Sequence, residues 1–124
     1  MALAISYFGC NGYTISIPLN DTQWYDLIVE KDGVFQTVQC KFTSSSNGEV
    51  KLVSTGGTKG SVYGSLLDSP LDLLFCANQD GEMWVIPMKD LIEAGNKNAI
   101  KLRKEKSIYA NKCAFDTSPY YVTL

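Results

Sequence analysis

Asp26, Gln39 and Lys41 are the residues of this chain whose types and spacing suit joint chemistry. They flank Asp32-Gly33, a dipeptide that between strand-forming runs is among the strongest signals for a two-residue type I′ hairpin. If Lys31 pairs with Val34, then Glu30 faces Phe35, Val29 faces Gln36, Ile28 faces Thr37, Leu27 faces Val38 and Asp26 faces Gln39. Opposed residues share a face with Cβ atoms roughly 4.5–5.5 Å apart. Lys41 lies two positions beyond Gln39 and points to the same side, while Leu27, Val29, Val38, Cys40 and Phe42 form an apolar opposite side. One face is expected to pack and the other to carry a metal-dependent hydrolytic site.

The matching run is Gly12-Tyr13-Thr14-Ile15-Ser16-Ile17-Pro18, then Tyr25-Asp26-Leu27-Ile28-Val29, then Val38-Gln39-Cys40-Lys41-Phe42-Thr43. It resembles the PD-(D/E)XK nuclease superfamily, most closely the intron-associated homing endonuclease branch in which Gln stands where others have Asp or Glu. Leu71-Asp72-Leu73-Leu74-Phe75 and Met83-Trp84-Val85-Ile86-Pro87 look like the later strands, so the similarity spans about residues 3 to 94. The resemblance implies an α/β (α+β) fold with a restriction-endonuclease-like core, a mixed β-sheet flanked by helices. It also implies Mg²⁺-dependent hydrolysis of double-stranded DNA, with Mn²⁺ as a substitute. Asp26, Gln39 and the Cys40 backbone carbonyl would supply hard oxygen ligands. Lys41 would orient or deprotonate the attacking water and neutralise charge developing at phosphorus. One departure stands out: the family's N-terminal helix usually carries a Glu, whereas no acidic residue precedes Asp21 here. The helix reads as short, Met1 to Phe8, ending near Gly9 or Gly12. Either the chain is shortened, or water or another subunit supplies the ligand, or cleavage has been lost.

Taken singly, an Asp at a strand start and a Lys at a strand end are more often solvated groups on the wet side of a hairpin. Their opposed register with a Gln between them favours a site. The chain has no histidine, which excludes Ser-His-Asp and Cys-His catalysis and the histidine-dependent nucleases such as HNH. Cys10, Cys40, Cys76 and Cys113 are widely spaced with no Cys-x-x-Cys pair; Cys40 and Cys76 read as small core residues.

The 124 residues suit one domain spanning 1–124, and 45% hydrophobic with 19% charged residues marks a soluble globular protein. No leader or membrane span is evident, so the expected setting is the cytoplasm of a bacterium or of a phage's host. Charge is uneven. Residues 1–96 hold five basic and eleven acidic groups, and the basic C-terminal segment 97–124 holds six and two. Lys97, Lys101, Arg103, Lys104 and Lys106 are candidate phosphate contacts, with a solvated surface run as the competing reading. Lys59 and Tyr63, in the Gly/Ser/Thr-rich stretch 55–65, are further candidate DNA contacts on a loop, although Lys59-Gly60-Ser61 has the wrong order for a P-loop. With a single arginine, direct readout would rest on other side chains or on DNA shape.

Elsewhere a strand is expected at Tyr13–Ile17 and another at Glu49–Val53. Asp80-Gly81 predicts a second hairpin with Ala77 facing Trp84 and Cys76 facing Val85, and a short helix follows over Lys89–Ala94, stopped by Gly95. A site-specific enzyme of this size calls for a homo-oligomer, dimer or tetramer. Three alternatives stay open: a cleavage-incompetent DNA-binding or assembly protein on the same fold, a Holliday-junction resolvase, and a β-rich interaction protein whose tail Pro119-Tyr120-Tyr121-Val122 adds to a partner's sheet.

Overall fold

The computed structural model describes residues 1–20, 22–55, 63–65, 69–95, 99–106 and 115–124, with the backbone alone at 53–55 and 63–65. Helix α1 (Ala2–Cys10) has almost no polar residues and packs Ala4 and Phe8 inward. Its end is a Schellman motif: the Tyr13 N–H reaches Phe8 O at 3.0 Å and the Gly12 N–H reaches Gly9 O at 3.3 Å. Gly12 takes φ +84°, which a residue with a Cβ rarely adopts. The Tyr13 ring sits edge-on to Phe8, centroids 5.2 Å apart, and the Lys31 ammonium caps the helix by donating to Asn11 O at 3.0 Å.

The chain then forms β1 (Thr14–Ser16), β2 (Leu27–Lys31), β3 (Val34–Thr43), β4 (Glu49–Lys51), β5 (Val53–Thr55), β6 (Tyr63–Ser65), β7 (Leu73–Asn78) and β8 (Met83–Pro87). Helix α2 (Met88–Glu93), β9 (Ala99–Lys101), a 3₁₀ turn (Ser118–Tyr120) and β10 (Tyr121–Val122) complete the described elements. Six strands make the main sheet in the order β1-β2-β3-β7-β8-β10, while β4 pairs with β9 and β5 with β6. The sheet is mixed because β3 and β7 run parallel and the other neighbours antiparallel. The expected fold class is therefore the observed one. Among the described residues no helix is long and apolar enough to cross a membrane.

Both sheet faces are packed. On one, Ala4 and Phe8 of α1 meet Leu27, Val29, Val38, Leu73, Phe75, Ala77 and Met83. On the other, β4, β9 and α2 deliver Val50, Leu52, Ile100, Leu102 and Leu91 onto Leu74, Cys76, Trp84 and Ile86. This is why β7 reads as an unbroken apolar run, since a strand covered on two sides has no reason to alternate. Each fully buried Phe or Leu adds about 1.5–3 kcal/mol. Trp84 satisfies its indole by donating to Arg103 O at 2.9 Å.

Four readings of the sequence are altered. The sheet face opposite α1, expected to carry the site, also packs over β7, where Leu74 and Cys76 are buried. Phe42 shares the α1 side with Val38 but lies past the covered stretch, and is 67% exposed. The ends of the presumed 55–65 loop pair as β5 and β6. The tail, which the alternative reading as an interaction protein would add to a partner's sheet, adds to its own, Tyr121 opposite Trp84 and Val122 opposite Met83.

The second hairpin also differs. Ala77 pairs with Met83 and Cys76 with Trp84, one residue from the expected register. The loop is three residues, Gln79-Asp80-Gly81, with Gly81 at φ +77°. Asn78 dictates this, because its Oδ1 accepts the N–H groups of Asp80 (3.1 Å) and Glu82 (3.0 Å), and its Nδ2 donates to Glu82 Oε1 at 2.9 Å.

Candidate active site

The first hairpin closes as its turn dipeptide requires. Asp32 (φ +54°) and Gly33 (φ +80°) both take positive φ, and the ladder runs from Lys31 opposite Val34 to Leu27 opposite Val38. Glu30 Oε1 accepts the Gly33 N–H at 2.8 Å and pins the turn. Just beyond the ladder, the Asp26 N–H donates to Val38 O at 2.8 Å, which brings the carboxylate over Gln39 and Cys40.

Asp26 Oδ2 accepts two hydrogen bonds, from the Cys40 N–H at 2.8 Å and from Gln39 Nε2 at 3.1 Å. Among the described residues, no protein group bonds to Asp26 Oδ1 or Gln39 Oε1, so two side-chain oxygens remain for a further partner. In an extended strand a residue's N–H and C=O point to the same edge. The Cys40 N–H reaches Asp26, so the Cys40 carbonyl is directed to that edge as well. Lys41, half-buried, shares the face of Gln39 and lies beside Cys76 of β7.

The start of β7 is held by Asp72, which the sequence reading did not single out. The Thr37 N–H donates to Asp72 Oδ2 at 2.9 Å, and the Asp72 N–H donates back to Thr37 Oγ1 at 3.1 Å. This clamp fixes the parallel register in which Lys41 falls beside Cys76. The signal for it was one polar residue between Leu71 and Leu73, too common a pattern to read alone.

Neither nearby thiol is a nucleophile. Burial pushes Cys40 up to about 11, the Asp26 carboxylate adds to the rise, and the N-terminal ammonium opposes it. Burial pushes Cys76 up as well, and Lys41 only partly offsets this. Both stay thiols at neutral pH. Among the described residues no cluster of three His, Cys, Asp or Glu side chains gathers to hold a metal, so any cation here would rest on one carboxylate and neutral oxygens. Those donors are of the hard type that suits Mg²⁺.

A family model described as PD-(D/E)XK endonuclease matches residues 1–116. The chain belongs to the PD-(D/E)XK endonuclease family. Among solved structures it is similar to a bacterial homing endonuclease, I-Ssp6803I, with a TM-score of 0.72 at 20% identity, over 97% of this chain and 82% of that one. No curated protein matches it in sequence.

The remaining candidates divide. Lys101 and Arg103 are exposed and alternate with buried Ile100 and Leu102, so they project outward from the layer that covers the Lys41 side of the sheet. Thr117 ties this segment to the tail, donating to Lys101 O at 2.7 Å and accepting the Arg103 N–H at 2.9 Å. Lys101 stands opposite Glu49, and Lys104 is paired with Glu82 at 2.6 Å, so acidic neighbours blunt two of the cations. Lys106 is exposed. Lys59, Lys97 and the Tyr63 side chain lie outside the described residues.

Proposed function

We propose that this protein is a metal-dependent endonuclease that hydrolyses phosphodiester bonds of double-stranded DNA. The observation that carries the reading is the Asp26 carboxylate held across the hairpin by Gln39 and the Cys40 N–H, with Lys41 on the same face. Asp26, Gln39 and the Cys40 carbonyl would hold Mg²⁺, with Mn²⁺ as a substitute. When bound, the ion supplies polarisation of a phosphoryl oxygen and acidification of coordinated water. Lys41 orients the attacking water and offsets negative charge as it builds on phosphorus. The Cys40 N–H holds Asp26 in place, so the site needs little rearrangement on binding. Lys101, Arg103 and Lys106 contact the DNA backbone. The enzyme is site-specific and acts as a homo-oligomer presenting two active sites to one duplex, in the cytoplasm of a bacterium.

The test is incubation of the protein with duplex DNA that includes the gene's own genomic neighbourhood. Cutting with Mg²⁺ that stops with EDTA supports the reading; no cutting with either Mg²⁺ or Mn²⁺ contradicts it. A second reading, DNA binding without cleavage, draws support from α1, whose sequence Ala-Leu-Ala-Ile-Ser-Tyr-Phe-Gly-Cys offers no carboxylate to the site. Metal-independent DNA binding without cutting would favour it.

A further inference from the structure

The β2–β3 hairpin outruns the strand beside it. β7 pairs with Val38–Thr43 alone, so the turn-proximal half of the hairpin projects beyond β7. Register places Ile28 and Glu30 of β2, Phe35 and Thr37 of β3, and Thr14 and Ser16 of β1 on the face that carries Asp26 and Gln39. The opposite face of the same hairpin is closed at its middle, where Val29 and Val38 are buried against the α1 side, and open at Val34 near the turn, beside the Lys31 ammonium that lies 5.2 Å over the Tyr13 ring. On the outer face Phe35 is 70% exposed, and Thr14 and Ser16 are exposed too.

The composition of this strip decides what it fits. Between the Asp26–Gln39 pair and the turn it presents an aromatic ring, the half-buried Ile28 side chain, the hydroxyls of Thr14 and Ser16 and one carboxylate, the Thr37 hydroxyl being tied to Pro70 and Asp72, and among the described residues no cation. That set is poor for phosphates, because it offers them hydroxyls alone, with no cation to neutralise their charge and the Glu30 carboxylate to repel it. It does suit base edges, because Phe contacts the thymine methyl, Ser and Thr pair with donors or acceptors, and Glu accepts from the cytosine amino group. Glu30 spends Oε1 on the turn, which leaves Oε2. A two-stranded ribbon enters the major groove. From Gln39 to Phe35 is four residues, ~13 Å at ~3.3 Å per residue, or about four base pairs at ~3.4 Å each.

Resting on the endonuclease reading above, we propose that the outer face of β1–β3 reads base edges in the major groove within about four base pairs of the cut, with Phe35 as its chief specificity-determining residue and Thr14 as a second.

The experiment is selection of cleaved sites, with Mg²⁺, from a duplex library randomised on both sides of the cut, using the intact protein, Phe35→Ala and Thr14→Ala. Both side chains are exposed, and unchanged circular dichroism checks folding. The expected result is that Phe35→Ala loses about tenfold in discrimination at one or two positions roughly four base pairs from the cut, with unchanged preference elsewhere and an unchanged salt dependence of binding to non-specific duplex. Thr14→Ala should relax a neighbouring position. Preferences unaltered in both variants, or an intact protein that cuts without preference, would overturn this inference and leave the endonuclease reading standing. An intact protein that neither binds nor cuts DNA overturns both.

Discussion

The β2–β3 and β7–β8 hairpins turn on the same dipeptide, Asp-Gly, and build different loops. In the first, Asp32 and Gly33 both take positive φ and form the whole loop. In the second, Asn78 captures the N–H groups of Asp80 and Glu82 and draws Gln79 into a three-residue loop where Gly81 alone is left-handed. The residue that flanks the turn, not the dipeptide, chooses between the two registers. A slip of one residue moves every side chain to the other face. In β7–β8 the observed register buries Trp84 beside Cys76. In β2–β3 it is what brings Asp26 to Gln39.

The largest expected effect on this contrast is at Asn78. Asn78→Ala leaves the Asp80 and Glu82 N–H groups without their acceptor and should cost about 1–3 kcal/mol, read as a fall in thermal midpoint. It also frees the loop to adopt the two-residue form, visible as altered near-ultraviolet dichroism of Trp84. An unchanged midpoint would show that strand packing alone sets the register. Next come Gly33→Ala and Gly81→Ala. Nothing lies within 4 Å of a Cβ at either position, so backbone strain alone opposes the substitution. Each should lose about 1–2 kcal/mol, and the two losses should be equal in denaturant titrations; a clear inequality would mean that the loops resist strain differently. The smallest effect concerns thiols. Iodoacetamide at pH 8 should label exposed Cys10 well before Cys40, whose labelling should rise only as the pH nears about 11, where its thiol ionises. Peptide mapping that finds Cys40 modified first at pH 8 would contradict the burial assigned to it.

The parts of the molecule legible in the sequence are those fixed locally. The type I′ turn at Asp32-Gly33 sets five ladder pairs and the approach of Asp26 to Gln39, because both central residues demand one geometry. The Schellman end of α1 was legible as Gly9 or Gly12 for the same reason. What could not be read depends on distant pairings. The cover over the Lys41 side comes from β4 meeting β9, with Val50 opposite Ile100, and no local pattern announces it. The Asn78 side chain altered a register that the dipeptide alone predicted otherwise. The basic segment was visible as charge, but the pairing of Lys104 with Glu82, across 22 positions, was not. The Thr37–Asp72 clamp likewise joins residues from separate strands.

The proposed chemistry lies at one site, so the decisive measurement is the Mg²⁺-dependent cleavage rate of duplex DNA for the intact protein beside Lys41→Ala and Asp26→Asn, with folding checked by circular dichroism. Each substitution should lower the rate by at least ~100-fold while the protein remains folded and still binds DNA. Cleavage by Lys41→Ala at the intact rate would contradict this site and place the chemistry elsewhere on the fold.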